Sequence, residues 1–334
     1  STPAAGPTAQ TDFTYVSASN GAQNSFSKEA LRKLDLLNAA IKHDPNDEAS
    51  YRKRADQEHS MGDRTGALED YATAIRLRPS DAEAHLGQSS VYLDLQDFPL
   101  AVQSATAAIN LDPHLGAAFE ERGIADIGTG DNDRAIADLS IAEKYFPKDY
   151  RVYMSRGTAF FAKGDYDSAI RDLDTAVALK PDSADLFNDR AMAYHQIGQY
   201  DRALADFTRA TQLDRAEFNA WIGACYDNAI LGQLTLAMSD CNTALGLRPH
   251  DTMAQGYRGF AELRAGNIDA ALADYNAALR YGAGDPTLFF GRAVAHAVKG
   301  DDAAAAVDVA EARKRNPAID QQMKALHVEL PAGA

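Results

Sequence analysis

Seven of the chain's twelve prolines fall on one lattice with a spacing of 34 residues. The two vacant lattice points hold Arg215 and Ala283. A fixed period of this length indicates a structural unit repeated along the chain rather than a single globular core. The lattice prolines stand at positions 45, 79, 113, 147, 181, 249 and 317.

Eight rows of 34 residues, from Glu48 to Ile319, align further columns. A glycine column is interrupted only by Gln96, and another column is always small, as at Ala55 and Gly123. Two columns seven residues apart are alanine in every row. The first is Ala67, Ala101, Ala135, Ala169, Ala203, Ala237, Ala271 and Ala305, and the second is Ala74, Ala108, Ala142, Ala176, Ala210, Ala244, Ala278 and Ala312.

The chemistry of these columns predicts a helical hairpin in each row. Glycine suits the left-handed position just past a first helix, and residues three positions later, such as Thr65 and Asp133, are expected to cap a second helix. The alanines lie on one face of that second helix and allow close packing. Proline then ends it. Such hairpins must stack to bury what a single pair leaves exposed.

The row length, the column order and segments such as Gly164-Asp-Tyr-Asp-Ser-Ala-Ile170 resemble the tetratricopeptide repeat. The resemblance implies an all-α, right-handed superhelical solenoid of antiparallel hairpins that binds peptides or proteins in a concave groove. It covers eight repeats over residues 48–319. A half-repeat helix at 26–47 would precede them, a flexible leader would occupy 1–25, and a capping helix with its tail would occupy 318–334.

The composition limits the classes of molecule that the protein is expected to bind. The net charge of −15 disfavours nucleic acid and anionic lipid surfaces, whereas cationic or apolar protein segments remain suitable. The sequence contains no run of eighteen apolar residues, so we expect no direct membrane insertion. The leader is of the kind that often follows a removed signal peptide, which slightly favours a periplasmic or exported protein over a cytoplasmic one. Residue usage suggests a bacterial source.

Six first helices carry arginine where a tetratricopeptide repeat generally carries leucine, and aspartate stands sixteen residues after each. Because arginine never occurs without its aspartate, we interpret the pairs as structural ion pairs within hairpins. The alternative is a basic stripe that binds an anionic ligand. The pairs are Arg54 with Asp70, Arg122 with Asp138, Arg156 with Asp172, Arg190 with Asp206, Arg258 with Asp274, and Arg292 with Asp308.

In the family, first-helix side chains that point away from the second helix line the groove. Those of the early repeats are polar and mostly acidic, including Asp56, Glu83 and Glu121. Those of repeats four to eight are apolar and predict a groove for a peptide segment. The alternatives are packing between neighbouring first helices, self-association, or occupation by the leader. The apolar candidates are Met154, Phe161, Met192, Ile222, Tyr226, Phe260, Leu263, Phe290 and Val294.

Cysteine and histidine usage offers little chemistry. Cys225 and Cys241 are sixteen residues apart and should face each other as two buried thiols or as a disulfide. The dispersed histidines predict no metal site, and no cofactor motif or catalytic constellation stands out. The sequence therefore predicts a non-enzymatic interaction scaffold or adaptor. The alternatives are a self-assembling scaffold and, further behind, a regulatory subunit of an enzyme.

Overall fold

The computed structural model describes residues 27–282 and 284–331, and all its regular elements in that range are α-helices. It contains two compact units, one ending at Leu179 and the other beginning at Lys180. We call them the N-terminal unit and the C-terminal unit. The predicted leader, residues 1–25, lies outside the described residues.

The N-terminal unit contains one lone helix followed by four hairpins. Each first helix packs against its own second helix, and each second helix packs against the next first helix. The helices are α1 (Lys28–His43), α2 (Glu48–Ser60), α3 (Arg64–Leu77), α4 (Ala82–Asp94), α5 (Phe98–Leu111), α6 (Gly116–Thr129), α7 (Asn132–Tyr145), α8 (Tyr150–Ala162) and α9 (Tyr166–Leu179).

The C-terminal unit contains four further hairpins and a short final helix, with the same pattern of neighbours. The prediction of an all-α fold of antiparallel helix hairpins is confirmed in both units. The helices are α10 (Ala184–Gln196), α11 (Tyr200–Leu213), α12 (Phe218–Ile230), α13 (Leu234–Leu247), α14 (Thr252–Arg264), α15 (Ile268–Tyr281), α16 (Pro286–Val298), α17 (Asp302–Arg315) and α18 (Ile319–Ala325).

The turn after α2 shows why the first helix ends and the second helix begins at these positions. Gly62 has φ +84°, a left-handed conformation that glycine adopts without steric cost. Asp63 caps α3, its carboxylate accepting a hydrogen bond from the Gly66 amide at 2.9 Å. The prediction that Thr65 and its equivalents cap the second helices was wrong. The cap directly follows the glycine because the left-handed residue already reverses the chain.

The alanine columns form the seam of each hairpin, and all sixteen of their side chains are at most 3% exposed. A second packing rule links neighbouring repeats. A Cβ added at Gly87 would lie 2.3 Å from the Tyr71 ring, and a Cβ at Gly223 would lie equally close to Phe207. An aromatic residue in one second helix therefore fills the space left by glycine in the next first helix, sixteen residues on.

The last hairpin is covered by α18, whose Ile319 and Met323 are 0% and 2% exposed. The predicted capping helix is shorter than expected, because it ends at Ala325 and His327 takes a positive φ of 59°. Leu326 and Val328, beyond its end, remain buried and continue the cover as irregular chain. Among the helices described, none is both long enough and apolar enough to cross a bilayer.

Candidate functional site

Residues two, five, six, nine, twelve and thirteen of each 34-residue row lie along one side of the first helix. We call this side, in α2, α4, α6 and α8 of one unit and α10, α12, α14 and α16 of the other, the first-helix face. The packing columns repeat from row to row, but the side chains of this face do not. The face is therefore the part of each repeat that can carry recognition.

In the N-terminal unit the face carries a network of polar side chains. The Tyr71 hydroxyl donates to Asp56 Oδ1 at 2.7 Å. Asp94 lies 3.1 Å from His59 Nε2 and 3.3 Å from Arg64 Nη2. Most of the acidic side chains predicted at this face thus have protein partners, and the network links neighbouring repeats.

Among these acids, Glu121 of α6 has the least favourable environment for a charged carboxylate. Its Oε1 accepts from the Ser90 hydroxyl, and its Oε2 is buried without a hydrogen-bond partner. Burial raises the pKa of Glu121 to about 7, against the lowering effect of Ser90 and Ser89. Burial likewise raises the pKa of neighbouring Glu120, although Arg151 opposes that shift.

The apolar groove predicted for repeats four to eight is largely closed. Six of its nine residues are buried, with exposures between 2% and 9%, so the prediction that they line an open groove was wrong. Neighbouring first helices pack on one another, and Tyr226 stacks on Tyr257 with ring centroids 4.2 Å apart. The buried six are Ile222, Tyr226, Phe260, Leu263, Phe290 and Val294.

Only Met154, Phe161 and Met192 of the predicted set are partly exposed. Met154 and Phe161 lie on α8 of the N-terminal unit, and Met192 lies on α10 of the C-terminal unit. The Phe161 ring contacts Tyr166 edge-on at 5.2 Å. The accessible part of the first-helix face is thus more polar than the sequence suggested.

A histidine and a buried carboxylate join α10 to α12. His195 Nδ1 lies 2.5 Å from Asp227 Oδ1, and Asp227 is 0% exposed with its Oδ2 unpartnered. Burial raises the pKa of Asp227, and the hydrogen bond from His195 opposes the shift. Most rows place alanine or valine at the position of Asp227, a departure that the sequence analysis missed.

A second acidic cluster lies at the other end of the same two helices. Asp185 and Asp189 share one side of α10, and Glu217 caps α12 by accepting from the Asn219 amide at 3.2 Å. Burial raises the pKa of Asp189 to about 7, and the charges of Asp185 and Glu217 add to that shift. Burial, followed by the charge of Asp185, raises the pKa of Glu217.

The structure brings together all six predicted arginine–aspartate pairs. In each, Nε and Nη2 of the arginine donate to the two carboxylate oxygens at 2.5–3.0 Å. Both side chains of every pair are mostly buried; those of Arg156 and Asp172 are each 11% exposed. The Nε–Nη2 edge of each guanidinium is thus occupied by the aspartate of its own hairpin, which is the arrangement expected of structural ion pairs.

Arginines of these pairs also reach back to the preceding repeat, which the sequence analysis missed. Arg258 Nη1 donates to Asn242 Oδ1 at 2.8 Å, and Arg156 Nη1 donates to Ser140 Oγ at 3.1 Å. Each acceptor is a polar residue sixteen positions before its arginine, which is the signal that could have revealed the contact. Further acceptors of this kind are Asn38, Thr106 and Asn276.

The sixth repeat replaces this pair with other contacts. Ala224 stands where the arginine would be, and Asn228 Nδ2 donates to Asp240 Oδ2 at 2.8 Å instead. In the same hairpin Cys225 and Cys241 are joined as a disulfide, with Cα atoms 5.1 Å apart and both side chains fully buried. That Cα separation lies within the usual range for disulfides.

Within residues 27–282 and 284–331, no three histidine, cysteine, aspartate or glutamate side chains are arranged to hold a metal ion. What the first-helix face offers chemically is therefore charge, hydrogen bonding and a few thioether and aromatic contacts.

Comparison with known proteins decides the family. The tetratricopeptide repeat model matches residues 52–115, 121–184, 156–220 and 258–318, which together cover more than half of the chain. The chain belongs to the tetratricopeptide repeat family. Tetratricopeptide repeat protein 33 of Mus musculus is 32% identical over 81 residues, covering 24% of this chain and 31% of that protein. The match thus spans about a third of the mouse protein.

Two solved structures show the same fold. A tetratricopeptide repeat protein from Parabacteroides merdae has a TM-score of 0.59 at 19% identity, covering 74% of this chain and 98% of that one. YrrB, described as a tetratricopeptide repeat protein with an unusual peptide-binding site, has a TM-score of 0.50 at 21% identity, covering 56% of this chain and 96% of its own. Proteins of this repeat family typically mediate protein–protein interaction and scaffolding.

Proposed function

We propose that this tetratricopeptide repeat protein is a non-catalytic scaffold that holds a segment of another polypeptide on its first-helix face. The observation that carries the proposal is that some positions of the 34-residue row are constant from repeat to repeat, whereas others vary. The alanine seam and the arginine–aspartate pairs recur because stacking requires them. Residue nine of the first-helix face changes from Asp56 to Ser90 to Ile124 in the first three rows, although the alanine and arginine–aspartate columns need no such change.

The burial pattern indicates which parts of the face are available. In the C-terminal unit, α14 and α16 bury Phe260, Leu263, Phe290 and Val294 in the core. Met253 and Val298 stay exposed, so a partner finds only scattered apolar surface on these helices. α10 keeps Met192 and four polar side chains accessible. We therefore propose a mainly polar binding face in each unit, in place of a long apolar groove. Its few apolar contacts are Met154 and Phe161 in the N-terminal unit and Met192 in the C-terminal unit.

The peptide-binding site reported for YrrB supports this reading, since that protein shares the fold. An interface of this kind, with few large anchors and many polar contacts, is expected to give about micromolar affinity, because association costs offset much of the contact energy.

A random peptide library displayed on phage tests the proposal with the intact chain as bait. The proposal expects enriched sequences whose synthetic peptides bind in solution at about micromolar Kd. Failure to enrich any peptide that binds in solution contradicts it. Light scattering over a range of protein concentrations distinguishes peptide binding from self-assembly. An oligomer that grows with concentration and binds no peptide supports the alternative of a self-assembling scaffold.

We further propose that the protein works in an oxidising compartment outside the cytosol. The Cys225–Cys241 bridge supports this, since structural disulfides persist mainly in such compartments. Denaturation of a fresh extract of the protein's own cells, without reductant and in the presence of an alkylating reagent, tests the proposal. Two alkylated thiols per chain contradict it, and no alkylated thiol is the expected result.

A further inference from the structure

The hydrogen-bonded pair of His195 and Asp227 joins α10 to α12 at a position where most rows have alanine, as at Ala193 and Ala261. His195 Nδ1 lies 2.5 Å from Asp227 Oδ1. Asp227 is 0% exposed, whereas 18% of the His195 side chain is exposed. Because most rows stack without a carboxylate at this position, the fold alone does not account for Asp227.

The second ring nitrogen of His195 is open to solvent. Within residues 27–282 and 284–331, His195 Nε2 has no hydrogen-bond partner, and it is not a buried atom. His195 is residue twelve of its row and so belongs to the first-helix face. Tyr200 contacts the imidazole edge-on with ring centroids 5.4 Å apart, and the Tyr226 ring lies 5.6 Å away. The imidazole is thus fixed on its inner side and accessible on its outer side.

A single proton decides what His195 Nε2 offers to a ligand. With the proton bound, the pair is either an imidazolium beside a carboxylate or a neutral imidazole whose Nδ1 accepts from a carboxylic acid. Nε2 carries a hydrogen in both forms and is therefore a donor. Without the proton, Asp227 is charged and Nδ1 must donate to it, which leaves Nε2 as an acceptor.

The titratable groups that face this pair from the packed helices are phenols. They are Tyr200 of α11, Tyr226 of α12 and Tyr257 of α14, which stacks on Tyr226. Burial raises the pKa of each phenol, so all three stay neutral where histidine changes charge. Burial also raises the pKa of Asp227, and the hydrogen bond and the charge of His195 oppose that shift. Asp227 Oδ2 is buried without a partner, so the proton shared with His195 stabilises this carboxyl.

Charged side chains around the pair act on other groups. Arg264 of α14 donates to the last main-chain carbonyl of α12 at 2.7 Å, and Arg202 of α11 lies over the Tyr194 ring at 5.6 Å. The charge of Asp285, before α16, adds to the pKa rise that burial causes in the phenols of α12 and α14. Asp189, nearer the start of α10, also titrates near neutral pH, because burial raises its pKa to about 7. Variants must therefore separate its effect from that of the pair.

We infer that His195 is a recognition residue whose Nε2–H donates to a main-chain carbonyl of the bound segment, and that Asp227 makes this donation depend on one proton. The inference rests on the proposed function, since it assigns the chemistry of one contact on the first-helix face. A carbonyl suits this donor better than a carboxylate does, because the protonated pair has no net charge and the buried Asp227 repels an anion. Binding should weaken as the pH rises through the range in which histidine changes charge, roughly pH 5 to 8.

Panning the random peptide library on the full chain at about pH 5.5, with elution at about pH 8.5, tests the inference on both sides of that range. Synthetic peptides with blocked termini and without histidine or acidic residues exclude titration of the ligand. The natural protein should bind them roughly 10-fold more weakly at the higher pH, because the peptide carbonyl then faces an acceptor. His195→Gln should remove most of this pH dependence, since an amide does not titrate.

Asp227→Ala gives the sharpest result, because it inserts the residue that most rows have there and removes only the buried carboxylate. The neutral imidazole of His195 is then free to carry its hydrogen on Nε2, so binding should no longer fall at the higher pH. A contact that only supports the fold would instead give weaker binding at both pH values. His296→Gln is the matched control, because it removes a histidine of α16 whose carboxylate partner, Asp301, is half exposed, and it should keep the natural pH dependence.

Circular dichroism verifies that each variant keeps its helices. The inference is overturned, and the proposed function left intact, by peptides that bind equally at both pH values. The same conclusion follows from a pH dependence that His195→Gln or Asp227→Ala leaves unchanged, or from an Asp227→Ala variant that binds more weakly at both pH values. If no peptide is enriched at either pH, both the inference and the proposed function fail.

Discussion

The arginine–aspartate pairs lead to a quantitative prediction at Arg156. This arginine donates to both oxygens of Asp172 at 2.7 Å and 2.8 Å, and its Nη1 also contacts Ser140 and Glu143. Replacing it with glutamine leaves the carboxylate of Asp172 buried without a counter-charge. Removing one partner of a buried pair costs about 3–5 kcal/mol, so Arg156→Gln should destabilise the N-terminal unit by about that amount.

The second repeat supplies the matched control. At the equivalent positions it has Gln88 and Ser104, and the Ser104 hydroxyl donates to Gln88 Oε1 at 2.9 Å. The double variant Arg156→Gln/Asp172→Ser transplants this neutral pair. It should cost only about 1 kcal/mol relative to the natural protein, because neither side chain is then charged and each has a partner.

Urea denaturation followed by circular dichroism measures the free energies, and hydrogen exchange in α8 and α9 localises the loss, because repeats are coupled mainly to their neighbours. The double variant should therefore be about 2–4 kcal/mol more stable than the single variant Arg156→Gln. A single variant as stable as the natural protein, or a double variant as unstable as the single one, would refute the reasoning that burial makes these pairs structural.

Three further perturbations follow from individual contacts. Tyr275→Phe should stabilise the protein by about 1 kcal/mol, because the Tyr275 hydroxyl is buried without a hydrogen-bond partner. Tyr71→Phe should instead cost about 1 kcal/mol, because it removes the hydrogen bond to Asp56. Chemical denaturation measures both changes in the free energy of unfolding. Gln96→Gly should raise stability by roughly 1 kcal/mol in the same assay, since Gln96 holds a φ of 58° where the other rows have glycine, and a loss of stability contradicts this. Asp189→Asn should stabilise the protein by about 1–3 kcal/mol at pH 8 and by little at pH 4. Burial raises the pKa of Asp189, so ionising this carboxyl in the folded state costs free energy, and the natural protein loses stability relative to the variant as the pH rises towards about 7. An equal effect at both pH values contradicts the assignment.

The repeat fold was predictable because its determinants recur. A column such as Ala67 and Ala101 appears in every row, so a single chain reveals the seam, the glycine turn and the arginine–aspartate spacing without any relatives. The capping residue was misplaced because Thr65 and Asp63 are both good caps by composition. Only the backbone of the turn, with Gly62 at positive φ, decides between them.

The candidate site was less predictable because periodicity gives the direction of a side chain but not its depth. Phe260 and Phe290 point along the predicted face, yet each is 4% exposed or less because neighbouring helices cover it. The acidic cluster escaped notice for a related reason. Asp189 and Glu217 are 28 residues apart in sequence, and only the packing of α10 on α12 brings their charges together.

Hydrogen–deuterium exchange of the intact chain, with and without an enriched peptide, tests the central claim most directly. If the first-helix face holds the partner, the peptide should slow exchange in first helices, above all in α10 and α12. The second helices α11 and α13 should change less. Protection confined to the second helices or to the loops between repeats would contradict the account.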